Sequence, residues 1–531
     1  MRDGRLYIPS TLLRLAGVFK AVVIVIVELC IDRTAIGTRK EGGIPPRLQS
    51  AGLPAAIIVT TATTRAHSMQ RHAARGSGGI ESAEMKKREH TRGTTAVPAV
   101  VRTGRLPPMS ADIVIVGNGI AGMTSAVEAR RLAPGKKILI VTEQNHSTIN
   151  APALKQFAIG KLSREHLLAF PEGVEQAQQL QAVRGHVTAI DAEHHRLSLV
   201  GGFQIGYTSL LLATGSAPVG LPVDLPGRDY DGVLVLHRMR DYLDLRRRLP
   251  EAQEVVVIGG GWHAAETALS LASFQHLRVH WLIRGQAGMS HVLDPRAFEL
   301  VLEQAYRARV SVYLATEVAQ IHGHIGTVAG VITTRGEAIR CQLVLACTGT
   351  VPATDLAAHC NPPLRCERGF VVQYGLRTSA TDIYCSGDAA ALWDPQQGGY
   401  APRAQWHAAV SQGRYAAHAM LASKAYAGPS PFGARWHATQ IGELTVLTAG
   451  APLSAMEGSE VITEDTANSY RRLVVVGDRL VGYLSLGRDQ PEYGLFIKEL
   501  IDSGRSVTRC GLLTLKRVRT TGALAWMGGS A

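Results

Sequence analysis

Two short glycine-rich segments have the residue types and spacing for binding phosphate. The first is Gly117-Asn118-Gly119-Ile120-Ala121-Gly122, after the apolar run Asp112 to Val116; the second is Gly259-Gly260-Gly261-Trp262-His263-Ala264, after Glu254 to Ile258. Each is followed by a helix-like stretch. A turn of this kind lets the backbone approach a pyrophosphate and aims a helix N-terminus, with its partial positive charge, at the anion. One such turn is a weak signal, but two in one chain predict two bound dinucleotides, and hence electrons passing from a nicotinamide to a flavin.

Further residues extend each turn. Glu143 lies at the tip of the second predicted strand, where a carboxylate accepts hydrogen bonds from adenosine ribose hydroxyls; the alternative is a solvated strand-end acid. In the second unit Glu266 follows the turn, and the strand after it ends at Ile283-Arg284-Gly285. An acid there would repel a 2′-phosphate, whereas Arg284 can pair with one. Ala264 in place of a third glycine points the same way, so NADPH is favoured over NADH. Trp262 and His263 leave open a narrowed nicotinamide site.

The elements around these residues alternate. Strand 112–116, helix 121–132 and strand 137–141 form one unit, and strand 254–258, helix 264–274 and strand 279–283 repeat it. Such alternation argues for parallel sheets with crossover helices and an internal duplication. A hairpin layer is expected near 192–200, and a helix over 405–421. Residues 435–531 read as short strands (442–447, 471–476, 479–486) with a helix near 495–501, a small α+β domain.

Three further motifs complete a resemblance. Ile383-Tyr384-Cys385-Ser386-Gly387-Asp388 resembles the second flavin motif of the pyridine nucleotide-disulfide oxidoreductase fold. Ala213-Thr214-Gly215-Ser216-Ala217-Pro218 and Thr348-Gly349-Thr350-Val351-Pro352 resemble its two connecting motifs. The resemblance covers about residues 112–500. It implies an α/β architecture with two Rossmann-like dinucleotide-binding domains, glutathione-reductase-like, plus a small α+β C-terminal domain. The expected boundaries are 109–225 with 345–430 for FAD, 226–344 for NAD(P), and 431–531 for the C-terminal interface domain.

Residues 144–160 hold no cysteine, which excludes a thiol centre at that position. Asn150-Ala151-Pro152-Ala153-Leu154-Lys155 instead resembles a segment of the rubredoxin, putidaredoxin and ferredoxin reductases and of the N-terminal part of the nitrite reductase large subunit. That resemblance implies that Lys155 sits beside the flavin and favours negative charge on its reduced ring, and that Glu266 faces the nicotinamide end. It also implies that the Val187 backbone meets the adenine, Asp388 bonds the ribitol chain, and the helix from Trp406 aims its N-terminus at the flavin pyrimidine, where its dipole favours an anion. The chain departs from the pattern at Ala151, where the relatives carry Arg, and at Trp262-His263, where they carry a Tyr-Ile pair.

Composition sets the limits. The net charge is +13 over 531 residues, yet residues 1–108 carry 17 Lys/Arg against 7 Asp/Glu, leaving 39 and 36 in the remainder. A near-neutral body does not support a nucleic-acid groove. Three readings compete for 1–108: a disordered or non-native extension ahead of a start at Met109, a cleaved targeting segment, or a membrane anchor. Its apolar run 12–31 is interrupted by Arg14, Lys20 and Glu28, each costing roughly 2.5–3.5 kcal/mol at mid-bilayer. Seven cysteines form no CxxC pair, so no metal site or disulfide framework is expected.

The expected function is a cytoplasmic, FAD-containing reductase that takes electrons from NADPH or NADH. The acceptor is expected to be a small iron–sulfur protein or a partner subunit. Membrane contact is not expected, and a homodimer is left open. Two alternatives stand beside it: a type II NADH:quinone dehydrogenase-like enzyme, and a flavoprotein with a binding or signalling role like the apoptosis-inducing-factor relatives.

Overall fold

The computed structural model describes residues 109–394, 398–422, 426, 430–453, 457–466, 469–488 and 494–506, all within the unit Leu106–Ala531. The readings of residues 1–108 and of the tail beyond 506 lie outside the described residues.

Along the chain, β1 (Met109–Val116), α1 (Ile120–Leu132) and β2 (Ile138–Thr142) form the first crossover unit, followed by α2 (Leu154–Ala158), α3 (Val174–Ala177) and β3 (Gln181–Arg184). Strands β4 (Val187–Asp191), β5 (Arg196–Leu199) and β6 (Gln204–Leu212) make a meander, and β7 (Ser216–Pro218) leads out of it. Strands β1 to β6, with two that join from later in the chain, build an eight-stranded sheet in which the run β3-β2-β1-β6 is parallel, β3 forming one edge. Residues Ile113–Val116 of β1, Ile138–Val141 of β2 and Leu210–Leu212 of β6 are uninterrupted apolar runs, as burial on both faces demands.

The second crossover unit comprises β8 (Val233–Val235), α4 (Met239–Arg248), β9 (Glu254–Ile258), α5 (Trp262–Leu271), β10 (Arg278–Leu282), α6 (Pro295–Arg307) and β11 (Ser311–Tyr313). The antiparallel strands β12 (Val318–His324), β13 (Thr327–Thr333) and β14 (Ala338–Arg340) follow, and β15 (Leu343–Ala346) completes a five-stranded parallel sheet ordered β11-β10-β9-β15-β8. The chain then returns to the first sheet. After β16 (Thr350–Pro352), β17 (Cys360–Asn361) pairs with β4; after β18 (Phe370–Val371), β19 (Ile383–Cys385) pairs with β6. A hairpin, β20 (Ala390–Asp394) and β21 (Gly399–Pro402), precedes α7 (Trp406–Met420).

The last sheet is antiparallel, ordered β22 (Trp436–Ile441), β23 (Leu444–Gly450), β26 (Arg479–Gly487), β25 (Ser469–Val476) and β24 (Ser459–Thr466). Helix α8 (Gly494–Ser503) packs on it through Ile497 and Leu500. Two expectations need correction. A single strand over 442–447 is instead a hairpin turning between Ile441 and Leu444, because Gly442 takes the left-handed conformation (φ +60°) a tight turn needs. The helix expected over 264–274 runs from Trp262 to Leu271, starting where the glycine turn itself ends.

Candidate functional site

The two glycine turns are near-copies of one another. Gly117 (φ +108°) follows β1, and a Cβ there would lie 2.2 Å from the Ala213 carbonyl; Gly259 (φ +142°) follows β9, and a Cβ there would lie 2.3 Å from the Cys347 carbonyl. In both, the amide of the facing residue donates to the strand end: Ala213 to Val116 O (2.9 Å) and Cys347 to Ile258 O (2.8 Å). Gly122 is forced by sterics, since a Cβ would sit 2.1 Å from Gly117 O. The equivalent position in the second turn takes the methyl of Ala264, which is fully buried.

The middle glycines differ in kind. A Cβ on Gly119 or Gly261 meets nothing within 4 Å. Each caps its helix, α1 or α5, without a side-chain hydrogen bond. By contrast Asp294 caps α6 by accepting from the Ala297 amide at 2.9 Å. A helix leaves its first amides without intrahelical partners, and an acidic cap satisfies them internally. Gly119 and Gly261 leave the amides of the Ile120–Ala121–Gly122 and Trp262–His263–Ala264 turns open to an outside anion, with room at the cap for it. These are cradles that fit a pyrophosphate.

Around the first turn, α1 and α7 cross closely. A Cβ at Gly413 would come within 2.4 Å of Ala121 O, and one at Gly387 (φ +77°) within 3.0 Å of Ala121 Cβ. The Gly387 amide donates to Oε1 of buried Gln412 at 2.8 Å. These small residues seat the Gly387-Asp388 turn and the middle of α7, at Gly413, against the start of α1. The N-cap of α7, Gln405, makes no side-chain cap bond either. Asp388 accepts from Ser216 Oγ at 3.1 Å, and the Ser216 carbonyl contacts His237 Nε2 at 2.9 Å. Burial pushes the Asp388 carboxyl above its ordinary range, opposed by the Ser216 bond and by nearby His237.

Glu143 is exposed at the end of β2 and pairs with His186 Nδ1. Val187 is buried where β4 bulges against β5. Arg284 is exposed just beyond β10, without an acid beside it in sequence. Thr214 spends its hydroxyl on Ala353 O (2.7 Å), while Thr348 donates to Gly220 O (2.7 Å). The strands that follow them, β7 and β16, pair antiparallel. Thr214, Gly215 and Gly349 therefore lie in a reciprocal ribbon where the chain crosses between the two parallel sheets.

Lys155 and Glu266, from opposite sides of that crossover, meet. Lys155 Nζ on α2 lies 2.5 Å from Glu266 Oε2 on α5, with side-chain exposures of 17% and 14%. Thr439 Oγ1, on β22, donates to the other oxygen, Oε1, at 2.5 Å. Burial alone would raise the Glu266 carboxyl, but the Lys155 charge and hydrogen bond, with the Thr439 bond, hold it below the usual carboxylate range. His263 bonds the Tyr242 hydroxyl at 2.7 Å, and burial together with the Lys155 charge pushes its imidazole down to about 4. His437 packs its ring against Trp262 (centroids 5.2 Å apart) and is likewise pushed down to about 4, chiefly by burial. Both histidines are neutral at pH 7.

Comparison with known proteins identifies the family. Residues 111–413 match the model of the pyridine nucleotide-disulphide oxidoreductase family. The chain belongs to that family. As a pyridine nucleotide-disulphide oxidoreductase it is similar to human apoptosis-inducing factor 3, at 25% identity over 79% of this chain and 68% of that protein. It is also similar to rubredoxin-NAD(+) reductase of Pseudomonas putida, at 29% identity over 52% of this chain and 71% of that protein. The putidaredoxin reductase–putidaredoxin covalent complex shares its fold, with a TM-score of 0.70 and 23% identity over 79% of this chain and 99% of that one. The chain is thus an oxidoreductase. Among the described residues no helix is long and apolar enough to cross a membrane, and no group of three or more His, Cys, Asp or Glu side chains could hold a metal ion.

Sequence reasoning missed Thr439, His437, Ser216, His237 and Gln412. None carries a motif of its own. The one available signal was Ser216, which stands inside a connecting motif already singled out.

Proposed function

We propose that this oxidoreductase is an FAD-containing, NAD(P)H-dependent reductase acting in the cytoplasm and serving a small redox protein, an iron–sulfur protein or a partner subunit. The observation that carries the reading is the Lys155–Glu266 pair at 2.5 Å, which ties the segment after the first cradle to the helix that opens the second. The residues fit the two groups: Gly117, Gly119 and the α1 amides would hold the FAD pyrophosphate, with Asp388, Gly387 and Trp406 at the remaining edges. Gly259, Gly261 and the α5 amides would hold the nicotinamide dinucleotide. Bound there, the flavin supplies hydride acceptance from the nicotinamide and onward release of electrons.

The chain's own part is electrostatic. Lys155 is a fixed cation, and Glu266 keeps it from swinging into solvent. Neutral His263 and His437 add no competing charge beside that pair. The relatives named as NAD(+) reductases are defined by that coenzyme; here Arg284, exposed at the end of the coenzyme-unit strand, supports a preference for NADPH.

Anaerobic stopped-flow reduction with NADPH and with NADH, followed by mixing with rubredoxin- and ferredoxin-type acceptors, tests the proposal. Rapid bleaching by a coenzyme and reoxidation by an acceptor is the expected result. A folded, colourless protein that ignores added FAD would overturn it. Slow reduction with a persistent charge-transfer band would favour a binding or signalling flavoprotein, a reading that the similarity to apoptosis-inducing factor 3 keeps in view.

A further inference from the structure

The C-terminal sheet does more than cover the second unit. Its edge strand β22 is locked to β23 through six consecutive pairs, with Thr439 opposite Val446. Residues two apart on a strand share a face, and on β22 His437 and Thr439 both reach α5. The His437 ring lies against Trp262, and the Thr439 hydroxyl meets Glu266. Glu266 thus has one oxygen on a cation from α2 and the other on a hydroxyl from β22.

We propose that Thr439 is a positioning residue of the redox site: by donating to Glu266 Oε1 it fixes the carboxylate that in turn holds Lys155. This inference rests on the function proposed above. A carboxylate tethered at one oxygen keeps a free torsion about its terminal bond. Tethering both oxygens removes that freedom, and with it the freedom of the lysine that follows the carboxylate. The threonine hydroxyl suits the task because it is neutral. A second cation would compete with Lys155 for Glu266, and a carboxylate would repel it. The groups facing Glu266 are Lys155 from α2, His263 from its own helix with Tyr242 behind it on α4, the buried Cys347 thiol just beyond β15, and His437 from β22, with His407 and His291 beyond His437. Lys155 and Thr439 are the two that hydrogen-bond it.

The test compares the wild-type holoprotein with Thr439→Val, which keeps the branched shape, and Thr439→Ser, which keeps the donor. Three readouts apply: the acid limb of kcat/KM for the nicotinamide coenzyme, the pH dependence of the bound flavin's midpoint potential, and the pH dependence of the thermal midpoint. In Thr439→Val, loss of a bond that favours the ionised form should move the acid limb to higher pH by up to about one unit, a tenfold change in the ionisation equilibrium. The inflection in midpoint potential should move with it, kcat should fall more than KM rises, and Thr439→Ser should restore all of these. A uniform loss of thermal stability in Thr439→Val, with unshifted acid limb and potential, would make Thr439 a packing residue and overturn the proposal. Failure of serine to restore the profile would also overturn it. A wild type that binds no flavin would instead sink the functional reading. The contact would then be judged on the acid limb of the thermal midpoint, where a shift in Thr439→Val supports the tether and no shift overturns it.

Discussion

Replacing Lys155 by methionine gives the sharpest reading of the junction between the two cradles. The substitution keeps an unbranched apolar stem and removes only the charge. Glu266 is left with the Thr439 hydroxyl as its one hydrogen-bond donor. Breaking a buried pair from one side costs about 3–5 kcal/mol; with side-chain exposures of 17% and 14%, the low end, about 3 kcal/mol, applies. The pH dependence separates this from a packing defect. In the wild type the Glu266 carboxyl ionises below its ordinary value of 4.5, so the stability it contributes is complete above that pH and is lost as the pH falls through the depressed value. Without Lys155, burial is the dominant influence and the carboxyl rises above its unfolded value. Its penalty is then full near neutrality and disappears as acid protonates it. The thermal midpoint of Lys155→Met should therefore fall by several degrees relative to wild type at pH 7 and by much less near pH 4. Adding Glu266→Gln, which keeps an acceptor for Thr439 without a charge, should recover most of the loss at pH 7. A deficit that is the same at every pH, or one that Glu266→Gln leaves untouched, would refute the reasoning.

Three other outcomes are expected. Gly119→Ala and Gly261→Ala should fold with near-wild-type thermal midpoints, because a Cβ at either position meets no protein atom within 4 Å; the first should lose flavin on gel filtration, and the second should keep flavin while the coenzyme KM rises. Asp388→Ala should release flavin, measured as the ratio of absorbance at 450 nm to that at 280 nm, whereas Glu143→Ala should weaken flavin binding less because Glu143 is exposed and shares its charge with His186. Arg284→Glu should reverse a preference for NADPH: a charge-assisted bond to phosphate is worth about 1.5–3 kcal/mol, which corresponds to roughly 10–100-fold in kcat/KM. Added salt should weaken the wild-type preference because Arg284 is exposed.

The amino-acid sequence by itself determined the two phosphate cradles, for a local steric reason. Gly117 and Gly259 take φ values of +108° and +142° and lie within 2.3 Å of a carbonyl at the position a Cβ would occupy, so no other residue type serves there. The apolar runs ahead of them can only be strands buried on both faces, and their repetition discloses the duplication. Helix starts and hairpin turns were legible less exactly, as Trp262 and the Ile441–Leu444 turn show, since the competing signals there differ by fractions of a turn. Tertiary structure alone decided which polar groups meet. Lys155, Glu266 and Thr439 lie on three separate elements, and nothing in their spacing says that one carboxylate will take a lysine on one oxygen and a threonine on the other. In the same way Glu143 found His186, and the Thr214 and Thr348 hydroxyls went to carbonyls across the crossover ribbon. A backbone conformation is governed by atoms within a few bonds, which the sequence lists. A side chain's partner is governed by how whole sheets pack, and generic residues such as threonine and histidine carry no local trace of that choice.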